Sequence, residues 1–280
     1  MHIVCCVKQV PDTAEVKIDP ETNTLVRSGV ESICNPYDLV ATQAAVQLAK
    51  KYGGRVTVIS MGPPQAEFTL RECLALGADE AILLSDRAFA GADTLATSYT
   101  LSQAIAKVSA AEPVALVICG KQAIDGDTGQ TGPGIATRLG YELLTYVSEI
   151  RNLDVGKGLI TVRREVEGGS EVIECGLPAL LTVELEIATP GYAPLSELVR
   201  SIRQGIPVWG ARDIAGLPER LGLKGSPTSV KEIFAPKPRT GGIVSDATDD
   251  PGKAVEQFLE AFSRKEHRRL DEVIIRDNHA

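Results

Sequence analysis

The segment from Gly120 to Pro133 concentrates glycine, hydroxyl, amide and carboxylate residues in one short run, GKQAIDGDTGQTGP. It is neither a Gly-x-Gly-x-x-Gly fingerprint nor a Walker loop, which needs Ser or Thr directly after Gly-Lys. Its chemistry still suits a phosphate, because its glycines let the backbone approach closely and Thr128, Gln130 and Thr131 supply hydrogen bonds. A helix that follows would add free N–H groups and the positive end of its dipole. The segment predicts nucleotide binding, with a structural glycine-rich turn as the alternative.

Histidine and cysteine chemistry is sparse in this chain. The three histidines, His2, His267 and His279, lie at its two ends. A Ser-His-Asp triad, a Cys-His pair and a His-rich zinc site are therefore excluded from its body. The six cysteines include no Cys-x-x-Cys, and most lie in apolar runs, which predicts buried free thiols. We predict no catalytic side chain and no metal site, so a bound cofactor would have to carry any redox chemistry.

Charge and hydropathy argue against two classes of partner. The formal net charge of −8 lacks the basic footprint that nucleic acid or an anionic membrane surface requires. No apolar run approaches the roughly 18 residues of a membrane span, so no membrane insertion is predicted. The residues from Met1 to Cys6 run directly into a strand pattern and do not resemble a signal peptide, so we expect a cytoplasmic protein.

Apolar runs and helical stretches alternate along the first half of the chain. The runs are Ile3–Val7, Val56–Ile59, Ala81–Leu84 and Val114–Ile118. Runs with so little alternation are typical of strands in a parallel sheet covered on both faces. Helices are predicted from Asn35-Pro36 to Gly53, from Gln65 to Leu76, from Thr94 to Ala111 and from near Gln130. This order predicts an α/β fold with a right-handed, doubly wound parallel sheet.

The first helix shows local signals at both ends. Asn35 is expected to cap it, Pro36 suits its first position, and Gly53 follows its last turn. Val40 is expected on its apolar side and Thr42 on its polar side.

Polar or glycine-containing segments follow three of the predicted strands. They are Lys8–Asp12, Ser60–Pro64 and Gly120–Asp127. Ligands of doubly wound sheets bind at the carboxyl ends of the strands. We therefore expect these three segments to open onto one crevice.

The periodicity changes after Leu159. Residues 159–166 alternate, and Gly168-Gly169 predicts a hairpin turn. Val172-Ile173 and Leu180–Val183 follow, and we predict that all these strands extend the sheet in antiparallel fashion.

The end of the chain has a different composition. Beyond Thr189 it is rich in Pro and Gly, and Gly241–Gly252 reads as a polar linker. Val255, Phe258, Leu259 and Phe262 have the spacing of an amphipathic helix, which either folds back on its own domain or embraces a partner. We expect an α/β binding domain over 1–187, a recognition loop and wrap-around segment over 188–236, and a linker with a C-terminal helix over 237–280.

Several separated motifs over residues 1–236 resemble the β subunits of electron transfer flavoproteins. Besides the Gly120–Pro133 segment they are Cys6-Val7-Lys8-Gln9-Val10-Pro11-Asp12, Asn35-Pro36-Tyr37-Asp38, Ser60-Met61-Gly62-Pro63, Leu76-Gly77-Ala78-Asp79 and Gly191-Tyr192-Ala193-Pro194-Leu195. They fall in the order in which the family has them. The resemblance implies a doubly wound parallel sheet of the adenine-nucleotide α-hydrolase-like type, extended by antiparallel strands and followed by a C-terminal arm.

The resemblance also implies which residues bind. The adenine nucleotide or FAD would contact Cys6, Val7, Pro11, Asp12, Asn35, Pro36, Tyr37, Asp38, Met61, Gly62, Gly120, Lys121, Gln122, Ala123, Asp125, Gly126, Asp127, Thr128, Gly129, Gln130 and Thr131. Pro11 and Asp12 would lie near the isoalloxazine end. The pyrophosphate would be held by Asp127, Thr128, Gln130 and Thr131. Because a carboxylate repels phosphate, Asp127 is expected to act through its backbone N–H or as a helix cap. The loop Gly191–Arg200 would recognise a partner dehydrogenase through Tyr192 and Leu195, with Leu195 at its tip. From the sequence alone, a core leucine after a turn is the alternative for Leu195.

Within the family, two departures resemble the electron-bifurcating group more than the housekeeping group. Gly126-Asp127-Thr128-Gly129-Gln130 leaves more room for a pyrophosphate than the bulkier housekeeping loop, and Ser201–Ile206 replaces a lysine run. Lys8–Asp12 and Gly225-Ser226-Pro227-Thr228 also resemble bifurcating members. The resemblance thus implies FAD in this chain and NADH as electron donor. An electron transfer flavoprotein α subunit, ferredoxin or flavodoxin, and an acyl-CoA dehydrogenase-type flavoenzyme would be its partners.

Two alternatives stay open at this point. A housekeeping β subunit would hold structural AMP in place of FAD. A universal-stress-type ATP-binding module shares the doubly wound architecture, although the recognition-loop motif and the long carboxyl-terminal extension speak against it.

Overall fold

A computed structural model of the chain describes residues 1–12, 32–231, 247–248 and 250–266. The chain divides into two compact units, residues 1–233 and 234–280. Within the described residues, no helix is both long and apolar enough to cross a membrane.

A mixed sheet of nine strands forms the centre of the first unit. Its strands are β1 (His2–Cys6), β4 (Arg55–Met61), β5 (Glu80–Leu84), β6 (Val114–Gly120), β7 (Glu142–Asp154), β8 (Leu159–Val166), β9 (Gly169–Gly176), β10 (Ala179–Val183) and β11 (Val208–Trp209). Their spatial order is β11-β5-β4-β1-β6-β10-β7-β8-β9. The pairs from β11 through β7 are all parallel, and β7, β8 and β9 pair antiparallel. The mostly parallel α/β sheet predicted from the sequence is confirmed.

Helices cover both faces of this sheet. They are α1 (Pro36–Tyr52), α2 (Glu67–Ala75), α3 (Thr94–Ala111) and α4 (Thr131–Leu139). Residues of α1 and α2 share one buried apolar cluster with one face of the strands, and residues of α3 and α4 share a second cluster with the opposite face. The central strands are therefore buried on both sides, which explains why their sequences show so little alternation.

The first helix corrects two details of the prediction. The side chain of Asn35 does not cap α1, although Pro36 starts the helix and Gly53 follows it as predicted. Thr42 is fully buried, and its hydroxyl donates to the carbonyl of Asp38 at 2.9 Å. Expecting Thr42 on the solvent side was wrong, because a threonine in a helix can satisfy its hydroxyl within its own turn and so be buried.

The prediction that the strand Leu180–Val183 is antiparallel to its neighbours is wrong. It belongs to β10, which lies between β6 and β7 and is parallel to both. All five residues of β10 are buried, as in the other central parallel strands. The 13-residue strand β7 was not predicted at all. The β8–β9 hairpin is confirmed, with Gly168 at its turn.

Two further elements complete the first unit. A two-stranded antiparallel ribbon joins β2 (Gln9–Pro11) to β3 (Ser32–Cys34). After β10 the chain forms α5 (Leu195–Arg203), which packs against α2, and then β11, which pairs with β5 at the edge of the sheet.

The second unit contains α6 (Pro251–Glu266), which confirms the helix predicted around Phe258. The rings of Phe258 and Phe262 stack with centroids 6.2 Å apart. Most of the predicted linker lies outside the described residues, and Gly252 belongs to the helix.

Candidate functional site

The three segments expected to form one crevice follow neighbouring strands. β1 pairs in parallel with β4 on one side and with β6 on the other, so their carboxyl ends lie side by side. Chain connections leave β1 and β6 in opposite directions, towards β5 and towards β7. The point between β1 and β6 is thus a topological switch point, where open α/β sheets bind their ligands.

The buried side chain of Asp38 links the loop after β1 to the loop after β6. Its Oδ2 accepts the backbone N–H of Lys8 and its Oδ1 that of Gly120, both at 2.9 Å. Burial raises the pKa of this carboxyl to about 7, although the backbone N–H groups of Gly120 and Lys8 and the Asn35 side chain lower it. One buried carboxylate therefore sets the spacing between the loop after β1 and the loop after β6.

Asn35, three residues before Asp38 in the chain, also links the loops after β1 and β6. Its Nδ2 donates to the carbonyl of Gln122 at 2.9 Å, and its Oδ1 accepts the N–H of Ile124 at 3.2 Å. Its own N–H donates to the carbonyl of Lys8 at 2.9 Å. Because its side chain is used on the β6 loop, it is not available to cap α1.

Gly120 brings the start of the β6 loop into close contact with α1. A Cβ atom on this residue would lie 2.6 Å from Oδ1 of Asp38 and would also overlap Tyr37. No side chain larger than hydrogen fits there, so the glycine is required by the contact with Asp38.

The turn between β6 and α4 presents a row of free donors. Asp127 and Gly129 have positive φ values of 52° and 62°. Among the described residues, no acceptor binds the backbone N–H groups of residues 128–132. The last two of them open α4, where the helix dipole also favours an anion. Successive N–H groups in such a turn form a concave anion site.

The glycines of this region have different tasks. A Cβ on Gly132 would lie 2.7 Å from Cγ2 of Thr182 and 2.9 Å from Sγ of Cys119, so this glycine lets α4 pack on the sheet. A Cβ on Gly126 would meet no atom within 4 Å. Protein packing thus requires Gly132, whereas the space beside Gly126 is open.

Both lysines of the crevice are already paired. Nζ of Lys8 contacts Oδ1 of Asp125 at 2.6 Å, which links the β1 and β6 loops at the surface. Nζ of Lys121 contacts Oε2 of Glu184 at 2.8 Å, and this carboxylate raises the pKa of Lys121. The ring of Tyr37 lies 5.2 Å from the same Nζ. An anion here would be held mainly by backbone donors.

Asp127 does not act as expected. Its N–H donates to the carbonyl of Ala123 at 2.9 Å, and its Oδ1 accepts Nε2 of Gln122 at 2.9 Å. The N-cap of α4 is Gln130. The expectations of a free Asp127 N–H and of a cap are both wrong, since the tight turn uses this residue internally. Its carboxylate is neutralised by no cation at hydrogen-bond distance among the described residues.

The remaining predicted residues lie around the same edge. Cys6 and Val7 are buried at the end of β1, and burial raises the pKa of the Cys6 thiol, so it is unreactive. Met61 ends β4, and the N–H of Gly62 donates to Leu84. Pro11 lies in β2, and Asp12 directly follows it.

Three residues of this region were not predicted. Glu184 pairs with Lys121, Oγ1 of Thr94 contacts Oε1 of Gln130 at 3.0 Å, and Tyr146 lies 6.0 Å from Nζ of Lys121. Tyr146 has a positive φ of 57° and sits where the register between β7 and β10 shifts. No local motif marks these positions, since each depends on a strand or helix distant in sequence.

Tyr192 and Leu195 lie on a different part of the first unit. Tyr192 is fully exposed and Leu195 is 77% exposed at the start of α5. The alternative of a core leucine at position 195 is therefore wrong.

The edge of the sheet at the carboxyl ends of β1, β4 and β6 combines three features that suit an anion. It has a switch point, a row of free N–H groups on a helix start, and loops fixed by buried side chains. The class that the fold defines is that of α/β proteins with a large, mostly parallel sheet.

Comparison with known proteins narrows the class. The family described as "Electron transfer flavoprotein domain" matches residues 22–205. Protein FixA of Azotobacter vinelandii is 49% identical over 278 residues, 98% of each chain. The electron transfer flavoprotein subunit beta of Clostridium acetobutylicum is 46% identical over 267 residues, 95% of this chain and 99% of its own. The caffeyl-CoA reductase-Etf complex subunit CarD of Acetobacterium woodii is 51% identical over 249 residues, 89% and 93% of the two chains. The chain therefore belongs to the electron transfer flavoprotein family, as a β subunit.

Proposed function

We propose that this chain binds FAD in the crevice and forms, with an electron transfer flavoprotein α subunit, an electron-bifurcating flavoprotein. Its likeness to a subunit named as part of a caffeyl-CoA reductase-Etf complex supports this proposal. The electron donor is NADH, and the acceptors are ferredoxin or flavodoxin and, through the α-subunit FAD, an acyl-CoA dehydrogenase-type flavoenzyme.

The row of free N–H groups over residues 128–132 is the observation that carries the proposal. A single phosphate uses few donors, whereas a diphosphate spreads its charge over more oxygens and can use a longer row. The open space beside Gly126 gives that larger group room. Structural AMP, the housekeeping alternative, would leave part of this row unused.

The chain's own part is to bind and orient. When bound, a flavin supplies two-electron exchange with a nicotinamide and one-electron exchange with other carriers. The free N–H groups hold the phosphates, while Asn35 and Asp38 keep the β1 and β6 loops at a fixed distance. Since Lys8 and Lys121 are paired with carboxylates, the binding groups are dipoles fixed before the ligand arrives.

Purification of the chain with its α subunit tests the cofactor. Two FADs per heterodimer, and bleaching of the flavin absorbance by NADH under anaerobic conditions, are the expected results. One FAD with one AMP, and no reaction with NADH, would replace the proposal by the housekeeping form. A colourless preparation that binds ATP would contradict both.

Docking to the acceptor flavoenzyme is proposed to use Leu195 and Tyr192. Leu195→Ala should raise the KM for the purified acyl-CoA dehydrogenase-type partner about tenfold, because it removes a large exposed apolar side chain from the contact. Flavin content should not change. Leu217→Ala removes another partly exposed leucine of the first unit and is the matched control. Equal KM values for wild type and Leu195→Ala would refute the docking role.

A further inference from the structure

α5 is amphipathic, but its polar side faces the protein and its apolar side faces solvent. Its polar side faces α2 and the α2–β5 turn, with Ser201 buried. The opposite side carries Leu195, Leu198, Val199 and Ile202, and Ile202 is 70% exposed. Little apolar burial fixes this helix to the sheet, so polar contacts must hold it.

Arg71 of α2 closes the carboxyl end of α5. Its Nη1 donates to the carbonyls of Ser201, Ile202 at 3.1 Å and Gln204 at 3.3 Å. Its Nε donates to Oε1 of Glu67 at 2.8 Å, which orients the guanidinium.

Arg200 of α5 does the converse for α2. Its Nη2 donates to the carbonyls of Leu74 at 2.8 Å and Ala78 at 3.0 Å, at and just beyond the end of α2. Its Nε is held by Glu197 at 2.7 Å and its Nη1 by Oε1 of Gln204 at 2.9 Å. Each helix therefore supplies the arginine that caps the other.

This reciprocal arrangement resists sliding of α5 along α2 and fixes the carboxyl-terminal turn from which the rest of the helix extends. The last carbonyls of a helix lack intrahelical partners and carry the negative end of its dipole, so a guanidinium there satisfies both. The planar fork of arginine spans several carbonyls with a defined orientation. Both contacts lie in the last turn of this nine-residue helix, so they tie the carboxyl end of α5 to the carboxyl end of α2.

We infer that Arg71 and Arg200 are positioning residues that hold α5 at the angle at which Leu195 meets the acceptor flavoenzyme. The inference rests on the proposed docking role of Leu195. Neither arginine is expected to contact the partner, because the guanidinium groups point into the α2–α5 contact.

The test uses the heterodimer with Arg71→Met, Arg200→Met and the control Arg203→Met. Methionine keeps an unbranched apolar stem and removes every donor. Arg203 is exposed on α5 and forms no ion pair among the described residues, so its variant controls for loss of charge. Each of the first two variants should raise the KM for the purified acyl-CoA dehydrogenase-type partner about five- to tenfold. Flavin content and electron transfer to a small dye acceptor should stay unchanged.

A double variant separates positioning from contact. Once Arg71 is replaced, Leu195→Ala should raise KM much less than it does in the wild type, since the leucine is no longer presented correctly. Full additivity, or wild-type KM values for both arginine variants, would overturn the inference while leaving Leu195→Ala as evidence for docking.

The experiments also distinguish failure of the docking proposal from failure of the positioning inference. If the electron-transfer rate of the wild-type heterodimer does not depend on the dehydrogenase concentration, the proposed docking partner is wrong. The same holds if Leu195→Ala leaves the KM for the dehydrogenase unchanged. Hydrogen–deuterium exchange of residues 195–203 then decides the positioning role. Faster exchange in Arg71→Met and Arg200→Met than in Arg203→Met supports it, and equal exchange in all three contradicts it.

Discussion

The crevice and α5 are built in opposite ways. In the crevice, buried polar side chains of Asn35 and Asp38 fix the loops after β1 and β6. In α5, arginines fix a helix whose apolar side chains face solvent. The first arrangement presents backbone donors and suits an anionic cofactor. The second presents apolar side chains and suits a protein partner.

In both regions, polar side chains hold the structure in place. The backbone N–H groups of one region and the apolar side chains of the other are therefore left available for binding. A site that binds through backbone N–H groups cannot use those groups to hold its own shape, so buried side chains must do so. A helix that docks through its apolar side cannot bury that side in its own core. The two regions should therefore respond separately to mutation.

Asp38→Ala should have the largest effect, and on the crevice alone. It leaves the N–H groups of Lys8 and Gly120 without acceptors, which should lower the free energy of unfolding by about 1–3 kcal/mol even after relief of the buried carboxylate. Bound flavin should fall about tenfold or more, because the two loops are no longer held together. Denaturant unfolding and flavin absorbance measure both.

Asp79→Ala is the matched control for that experiment. Asp79 also accepts a backbone N–H, that of Val56 at 2.8 Å, but on the α2–β5 turn. It should affect stability and spare the flavin. Retention of full flavin by Asp38→Ala would show that the loops are spaced by something else.

The sequence predicts those parts of the two regions whose contacts are local in the chain, and it misses those whose partners are distant in the chain. The ends of α1 and α3 and the β8–β9 turn carry local signals such as Pro36 and Gly168, and these elements are confirmed. Asn35 also carries a local cap signal, but its partners Gln122 and Ile124 are far along the chain, so its actual contacts could not be read. The direction of β10 depends on which strands flank it, which its five buried residues alone do not state.

The docking region shows the same limit. The exposure of Leu195 was implied only by resemblance, because an apolar residue at a helix start is common in cores. The Arg71 and Arg200 caps join helices more than a hundred residues apart in the chain. Long-range polar pairs leave no local periodicity.

A pH dependence should separate the two regions next. Burial raises the pKa of Asp38 to about 7 in the folded chain, against roughly 3.9 when unfolded. Between these values the folded state binds the proton more tightly, so the contribution of Asp38 to stability falls as pH rises from about 4 to 7 and is constant above that range.

The measurement is the unfolding free energy of wild type and Asp38→Asn from pH 5 to pH 8. The difference between wild type and variant should shrink, or turn against the wild type, as pH increases, by on the order of a few kcal/mol. The same comparison for Arg71→Met should give parallel curves. Parallel curves for Asp38→Asn as well would mean that its carboxyl titrates alike in both states.

Gly126→Ala should have the smallest effect and the most local one. Its added methyl group meets no protein atom within 4 Å, so the unfolding free energy should stay within about 0.5 kcal/mol of wild type. If the space beside Gly126 receives the diphosphate, flavin affinity should still fall about threefold to tenfold, measured by titration of the deflavinated heterodimer. Gly132→Ala is the contrasting variant, since its methyl group would overlap Thr182 and Cys119 and should destabilise the fold. Unchanged flavin affinity in Gly126→Ala would place the phosphates elsewhere along the row of N–H groups, and the open space would then have no role in choosing FAD over AMP.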